Sequence, residues 1–210
     1  MKTILELFKG TGSVGKIFSK SGDWKITSVD NVKKFEPTIC VSVLDLDYKS
    51  LEPPDFLWAS PPCNSFSNLA YPVFVRDAKT MKPLKHQAVT GDALLAKTIE
   101  IINYYLEKKP DMKWVMENPH GTMWKSPLME KLLPYTTAQT HYILYGDKKL
   151  KKTDFFNNFN LQLKSQDDEY YVLRMRQHRK IKDYVGVCSM KLADRYSIPP
   201  KLIEHIYKQV

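Results

Sequence analysis

The apolar positions of this chain fall into short runs cut off by turn-forming residues, and their period switches between that of strands and that of helices. Ile4 to Phe8, Phe56 to Trp58 and Met112 to Met116 are short, mostly apolar stretches, and Lys25 to Val29 is a more polar strand candidate between them. Runs of that length, bounded by turn signals, suit strands buried on both faces of a sheet. A further strand is expected around Thr38–Val43, with strand-like segments at Thr136–Tyr145 and Thr153–Phe156. Between them the spacing turns helical. Val14, Ile17 and Phe18 open a first helix. Leu94, Leu95, Thr98, Ile101, Ile102 and Tyr105 line one face of a long helix between about Leu84 and Lys108, which Pro110 ends. Ser126-Pro127 is a good helix start for Leu128–Leu133, and Leu202, Ile203, Ile206 and Val210 give a closing helix after Pro199 its inner face. Strands alternating with helices predict an α/β protein. Residues 157–183 are polar and charged and carry no clear period.

Candidate chemistry sits at the strand ends. The first strand runs into Lys9-Gly10-Thr11-Gly12-Ser13-Val14-Gly15, a G-x-G-x-x-G opening a helix. Such glycines allow a tight turn and let a ligand approach backbone N–H groups at a helix amino terminus. Asp30 closes the second strand, where an acidic side chain can accept from the ribose hydroxyls of a nucleoside cofactor; an ordinary turn residue is the alternative. Asp45, after the expected third strand, is placed to accept from an adenine amino group. Phe56-Leu-Trp-Ala-Ser60-Pro-Pro-Cys63 stops at two prolines that can continue neither helix nor sheet. Cys63 is therefore held on a rigid strand exit, where open α/β sheets carry their chemistry; taken alone, it could equally be a small buried core residue. Glu117, ending the strand before Asn118-Pro119, projects at the same sheet edge.

Composition adds three things. At 210 residues, with 43% hydrophobic and 26% charged positions, the chain suits one domain spanning 1–210. No apolar run approaches the roughly 18 residues of a membrane span, and the amino terminus reads as a strand rather than a signal peptide, so a cytoplasmic protein that is not secreted is expected. Cys40, Cys63 and Cys188 show neither metal-ligand spacing nor a disulfide framework. The net charge of +9 points to a polyanion, because lysines cluster at Lys148–Lys152 and basic residues recur from Arg174 to Lys182. Such patches displace counterions from phosphates whatever the base sequence.

Three motifs in order resemble the DNA cytosine-5 methyltransferases. Glu6-Leu-Phe-Lys-Gly-Thr-Gly12 is similar to their first motif, an acidic residue followed by Leu-Phe-x-Gly-x-Gly. Pro62-Cys63-Asn-Ser-Phe-Ser resembles Pro-Cys-Gln-x-Phe-Ser, and Glu117-Asn118-Pro119 resembles Glu-Asn-Val. The likeness runs from residue 3 to about 156 and is strongest to compact phage- or large-virus-type members. It implies a Rossmann-like, class I S-adenosylmethionine-dependent methyltransferase with a mostly parallel, doubly wound sheet, in a bacterial or infected host cell. It further implies a cofactor site at Phe8, Gly10, Gly12, Asp30, Asp45 and Pro61, and DNA as partner, as a duplex with a flipped base or single-stranded. Ser65 and Asn118 become candidate substrate contacts. The family's Gln-x-Arg-x-Arg is not clean here: Lys151 and Lys152 are the nearest candidates for its basic contact, Arg174 and Arg176 their rivals. The family's separate target-recognition domain would be reduced to residues 157–195.

In this chemistry a cysteine thiolate adds to carbon 6 of cytosine and makes carbon 5 nucleophilic. Cys63 takes that role, and Glu117 holds the base through ring nitrogen 3 and the amine. The loop Asn68–Pro83, carrying Arg76, Lys79 and Lys82, is the candidate cover. Two alternatives stand beside it. Ser60-Pro61-Pro62 also fits an amino-methyltransferase of adenine N6 or cytosine N4, though those carry an aromatic where Cys63 stands. A catalytically silent, DNA-binding subunit could keep the fold, but it would need neither Cys63 nor Glu117.

Overall fold

The computed structural model describes residues 1–67, 75–77, 79–149, 151–165 and 192–210. Its frame is a six-stranded sheet of β1 (Lys2–Leu7), β2 (Trp24–Val29), β3 (Phe56–Ala59), β4 (Lys113–Pro119), β5 (Thr136–His141) and β6 (Lys152–Asn157) in the order β2-β1-β3-β4-β6-β5. The first four strands are parallel; β6 runs antiparallel to β4, and β5 antiparallel to β6. Helix α1 (Ser13–Phe18) connects β1 to β2, and the long helix α2 (His86–Lys108) connects β3 to β4. A short α3 (Leu192–Tyr196) and α4 (Pro200–Tyr207) end the chain.

Because side chains alternate across a strand, the sheet buries two different apolar faces. Leu5, Leu7, Leu57, Trp114, Met116 and Phe156 pack on one side against Leu95, Ile99 and Ile102 of α2. Ile4, Phe56, Trp58, Val115 and Phe155 pack on the other against Val14, Ile17 and Phe18 of α1 and Leu202, Ile203 and Ile206 of α4. All four residues of β3 are buried, as the continuous apolar run predicts. The chain leaves β1 toward β2 on one side and lies beside β3 on the other, so the strand order reverses between β1 and β3. Crevices at such reversals, beyond the carboxyl ends of the strands, are where open α/β sheets bind ligands.

Two expected strands are corrected. Thr38–Val43 contributes a single bridge, Val29 to Ile39, and then a 3₁₀ turn at Val43–Asp45. Side chains capture the backbone that a ladder would need: the Ser28 amide donates to the Thr38 hydroxyl at 3.2 Å, and the Leu44 amide to Ser42 Oγ at 3.2 Å. The segment Thr136–Tyr145 is a strand only as far as His141; Tyr142–Tyr145 coils into a 3₁₀ turn closed by left-handed Gly146. Ser126 does cap a helix, but a 3₁₀ helix over Pro127–Leu132. Among the described residues no helix is long and apolar enough to cross a membrane.

Candidate functional site

A cleft of about 300 Å³ opens at the carboxyl ends of β1 and β3. On one wall β1 ends and the backbone turns through Phe8, Gly10 and Gly12, all at positive φ. Gly12 is the residue just before α1, and the Lys9 amide ties the turn to the Val29 carbonyl at 3.0 Å. Asp30 fixes the same turn: its carboxylate accepts from the Gly10 amide at 2.9 Å and from the Val32 amide at 2.8 Å. Asp30 also lines the cleft, beside Asn31, Val32 and Phe35.

Glu6 faces the same space from within β1. It is buried, and its Oε2 has no hydrogen-bond partner. Burial pushes its carboxyl up from the ordinary 4.5 to about 7, against the pull of the Gly15 amide and the Lys9 ammonium.

The opposite wall is the exit of β3. Pro61 and Pro62 offer no amide to extend the ladder, and the Pro61 carbonyl is instead caught by Asn118 Nδ2 at 2.9 Å. The chain then folds into a turn in which Phe66 and Ser67 both donate to the Cys63 carbonyl, at 3.0 and 2.8 Å. Cys63 is left half-buried on the cleft wall.

Glu117 closes the cleft from β4 and is 5% exposed. Its Oε1 accepts from the Tyr142 hydroxyl at 3.0 Å and from Lys151 Nζ at 3.4 Å, and that ammonium lies 4.9 Å from the centre of the Tyr142 ring. Burial pushes the Cys63 thiol up; the Lys151 ammonium opposes this and the Glu117 carboxylate adds to it. Burial beside Glu117 likewise holds Tyr142 well above the ordinary phenol range. Thiol, carboxylate and ammonium thus share one low-dielectric pocket and feel one another's charge.

The sequence-derived candidates divide accordingly. Phe8, Gly10, Asp30, Pro61, Cys63, Glu117 and Lys151 line one cleft. Gly12 shapes the turn beneath it. Asp45 is exposed, and Ser42 and Val43 line the cleft in its place. Asn118 is spent on Pro61, and Ser65 is fully buried with its hydroxyl accepting from Arg76 at 3.0 Å. Lys152 lies on β6 opposite His141 and outside the cleft lining. Arg174 and Arg176 lie outside the described residues.

Within the basic cluster, Lys149 does not face outward. It is buried, donating to the Asp194 and Ser197 carbonyls at 2.9 and 2.7 Å. Burial lowers its ammonium, against the pull of Asp147. His120 pairs with Asp154 at 2.9 Å.

Sequence reasoning missed Glu6 as a site residue, although it begins the first motif, and it missed Tyr142 and Tyr196. Tyr142 reads as one more strand residue. Tyr196 lines the cleft from a segment nearly 190 residues beyond the glycine turn, and no local pattern announces it.

The strand order and the cleft at its reversal define a Rossmann-like α/β fold with a mostly parallel sheet. No family model matches the chain. Two solved structures share its fold: a mutant of Spodoptera frugiperda DNMT2 (TM-score 0.50, 19% identity, 80% of this chain and 54% of that one) and S. pombe Dnmt2 methyltransferase (TM-score 0.51, 12% identity, 82% and 55%). In sequence, the chain is a relative of the probable DNA (cytosine-5)-methyltransferase of Frog virus 3 (isolate Goorha). The two are 36% identical over 145 residues, which is 67% of this chain and 61% of the viral protein. The chain therefore spans less than two thirds of that relative's length.

Proposed function

We propose that the protein transfers a methyl group to carbon 5 of cytosine in DNA, with Cys63 as covalent nucleophile and Glu117 as the group that engages the base. The observation that carries this reading is the convergence of Cys63, Glu117 and Lys151 on one cleft that the glycine turn also lines. The viral relative's name supports the same reaction class.

The cleft's other half fits S-adenosylmethionine on its own chemistry. Positive-φ backbone at Phe8 and Gly10, the Asp30 carboxylate, the apolar Val32, Phe35, Val43 and Leu94, and the buried carboxylate of Glu6 offer polar and apolar contacts suited to a nucleoside carrying an ammonium group. When bound, the cofactor supplies an electrophilic methyl group.

The chain's own residues do the rest. Cys63 gives its proton to solvent, its sulfur bonds to carbon 6 of the ring, and the electron pair of the 5,6 double bond becomes available at carbon 5. Glu117, acting as the carboxylic acid, faces ring nitrogen 3 and the exocyclic amine, gives its proton to nitrogen 3 as sulfur adds, and regains it from that nitrogen when the cysteine leaves. Lys151 counters the negative charge of the thiolate, against the effect of burial, and that of the carboxylate left once Glu117 has given up its proton. Loss of the carbon 5 proton to water and cleavage of the carbon–sulfur bond, whose electron pair returns to sulfur, then release the cysteine. The ring atoms are out of reach in a stacked duplex, so the base is flipped or presented single-stranded.

The test is a trap. Protein, S-adenosylmethionine and an oligonucleotide with 5-fluorocytosine should give a denaturation-resistant adduct on Cys63, because fluorine cannot leave as a proton. Cofactor binding without an adduct or labelled-methyl transfer would leave the silent, DNA-binding reading; transfer without an adduct would point to amino-methylation.

A further inference from the structure

Arg76 belongs to a segment that reads as exposed and basic, yet it is 1% exposed. Val75–Asp77 pairs with Lys82–Leu84, through the Asp77 amide on the Lys82 carbonyl and the Leu84 amide on the Val75 carbonyl. This hairpin drives the Arg76 guanidinium inward between the Cys63 turn and the start of α2. There Nε donates to the Ser65 carbonyl at 3.0 Å and Nη2 to the Ser65 hydroxyl at 3.0 Å. Nη1 reaches the Met81 carbonyl at 3.2 Å and Nη2 the Ala88 carbonyl at 3.2 Å. Asp92 pairs with Nη2 at 2.7 Å, and the guanidinium carbon lies 4.1 Å from the centre of the Phe66 ring.

We infer that Arg76 is a positioning residue for the nucleophile: it fixes the Cys63–Ser67 turn so that the thiol is set before substrate arrives, an inference that rests on the function proposed above. Three features carry it. First, the contacts converge on Ser65 and Phe66, two and three residues after Cys63, and use both the carbonyl and the hydroxyl of Ser65. A planar fork with five donors can hold two acceptors of one residue in fixed relation, which a lysine cannot. Second, a buried charge is a costly way to gain stability alone, since apolar residues of similar volume do as well or better; what it adds is a defined geometry. Third, the opposite side of the same turn is held independently. The Thr122 amide and hydroxyl both donate to the Phe66 carbonyl, at 2.8 and 3.1 Å, and Asn118 holds Pro61. The turn is gripped from α2 and the hairpin on one side and from the strand carrying Glu117 on the other. Gly91 of α2 completes the fit, because a Cβ there would collide with the Ser65 hydroxyl.

The experiment compares wild type with Arg76→Lys and Ser65→Ala in four readouts: melting temperature, S-adenosylmethionine affinity by calorimetry, rate of adduct formation with the 5-fluorocytosine oligonucleotide, and pH dependence of Cys63 alkylation by iodoacetamide. Both variants should bind the cofactor within about threefold of wild type. Adduct formation should slow by about 10²-fold in Arg76→Lys and about tenfold in Ser65→Ala. Cys63 alkylation should become several-fold faster, with its midpoint moving down toward the ordinary thiol range as burial is lost, while the exposed Cys40 reacts unchanged. Unaltered adduct rate and alkylation profile in a folded variant would overturn the inference. Should Arg76→Lys not fold, Ser65→Ala decides, because it leaves the Arg76–Asp92 pair in place. Should wild type form no adduct, the proposed function fails, and the alkylation profile alone decides whether Arg76 positions the thiol.

Discussion

The two walls of the cleft are built by different means. The glycine-turn wall is local: Phe8, Gly10 and Gly12 set it by backbone conformation, and it is tied down by Asp30 and Val29 at the end of the neighbouring strand. The Cys63 wall is assembled from a distance: Arg76 reaches it from one segment, and Asn118 and Thr122 from another at and just beyond the end of β4. A wall made from backbone torsions survives the loss of most side chains. A wall made from long-range hydrogen bonds depends on each of them, because a buried donor or acceptor left unpaired costs about 1–3 kcal/mol. On the function proposed above, the difference separates the tasks. Holding a cofactor needs a cradle of fixed shape, whereas covalent catalysis needs one atom aimed and electrostatically tuned.

That contrast can be broken most sharply at the nucleophile. Cys63→Ser should abolish the adduct and methyl transfer while S-adenosylmethionine affinity, measured by calorimetry, stays within about threefold of wild type; retained transfer would remove the covalent mechanism. In the wild type the adduct rate should climb with pH from 7 toward 9, because burial holds the thiol above its ordinary range and little thiolate exists at neutral pH. Glu117→Gln should come next, slowing adduct formation about 10²–10⁴-fold with cofactor binding again intact; single-turnover kinetics would read it.

Gly121→Ala tests the long-range assembly directly. A Cβ on Gly121 would run into the Phe66 carbonyl, where Ser67 and Gly121 form a bridge, and backbone cannot yield as a flexible side chain does. Urea unfolding should show a loss of about 2–3 kcal/mol, accompanied by a lower adduct rate but not by a proportionate loss of cofactor affinity. Equal damage to both would mean that the two walls are one unit.

The glycine-turn wall is tested last, through a pH dependence of stability rather than of the adduct rate. Glu6 has a folded pKa of about 7 against 4.5 when unfolded, so the native state binds the extra proton between those values. Its contribution to stability is therefore most favourable below pH 4.5 and is lost as pH rises through 7, by on the order of 3 kcal/mol at most. Glu6→Gln should flatten that slope. Unfolding curves at pH 5 and pH 8 that change by the same amount in wild type and variant would contradict it.

Much of this site was legible in the chain because its parts end strands. An apolar run ending in a glycine turn, in Pro-Pro-Cys or in Glu-Asn-Pro forces Gly10, Cys63 and Glu117 to one edge of a parallel sheet, whatever the rest of the fold does. The resemblance to cytosine-5 methyltransferases rested on those same residues, and the sequence relative and the shared fold agree with it. The readings that gave way were those resting on exposure or on a strand's length. Thr38–Val43 has strand composition but loses its ladder to Ser28, Thr38 and Ser42. Arg76 and Lys149 look like solvent-facing cations and are buried with partners far along the chain.

What the amino-acid order determined by itself is therefore the set of strands, the turns that end them and the chemistry displayed at those ends, since hydrophobic period, proline and glycine act within a few residues. What only the tertiary structure decided is which polar side chains turn inward. Tyr142 on Glu117, Arg76 on Ser65 and Lys149 on Ser197 each depend on an acceptor provided by a distant segment. A buried polar group is tolerated only where such a partner exists, and the partner is fixed by the packing of the sheet rather than by any neighbour in sequence.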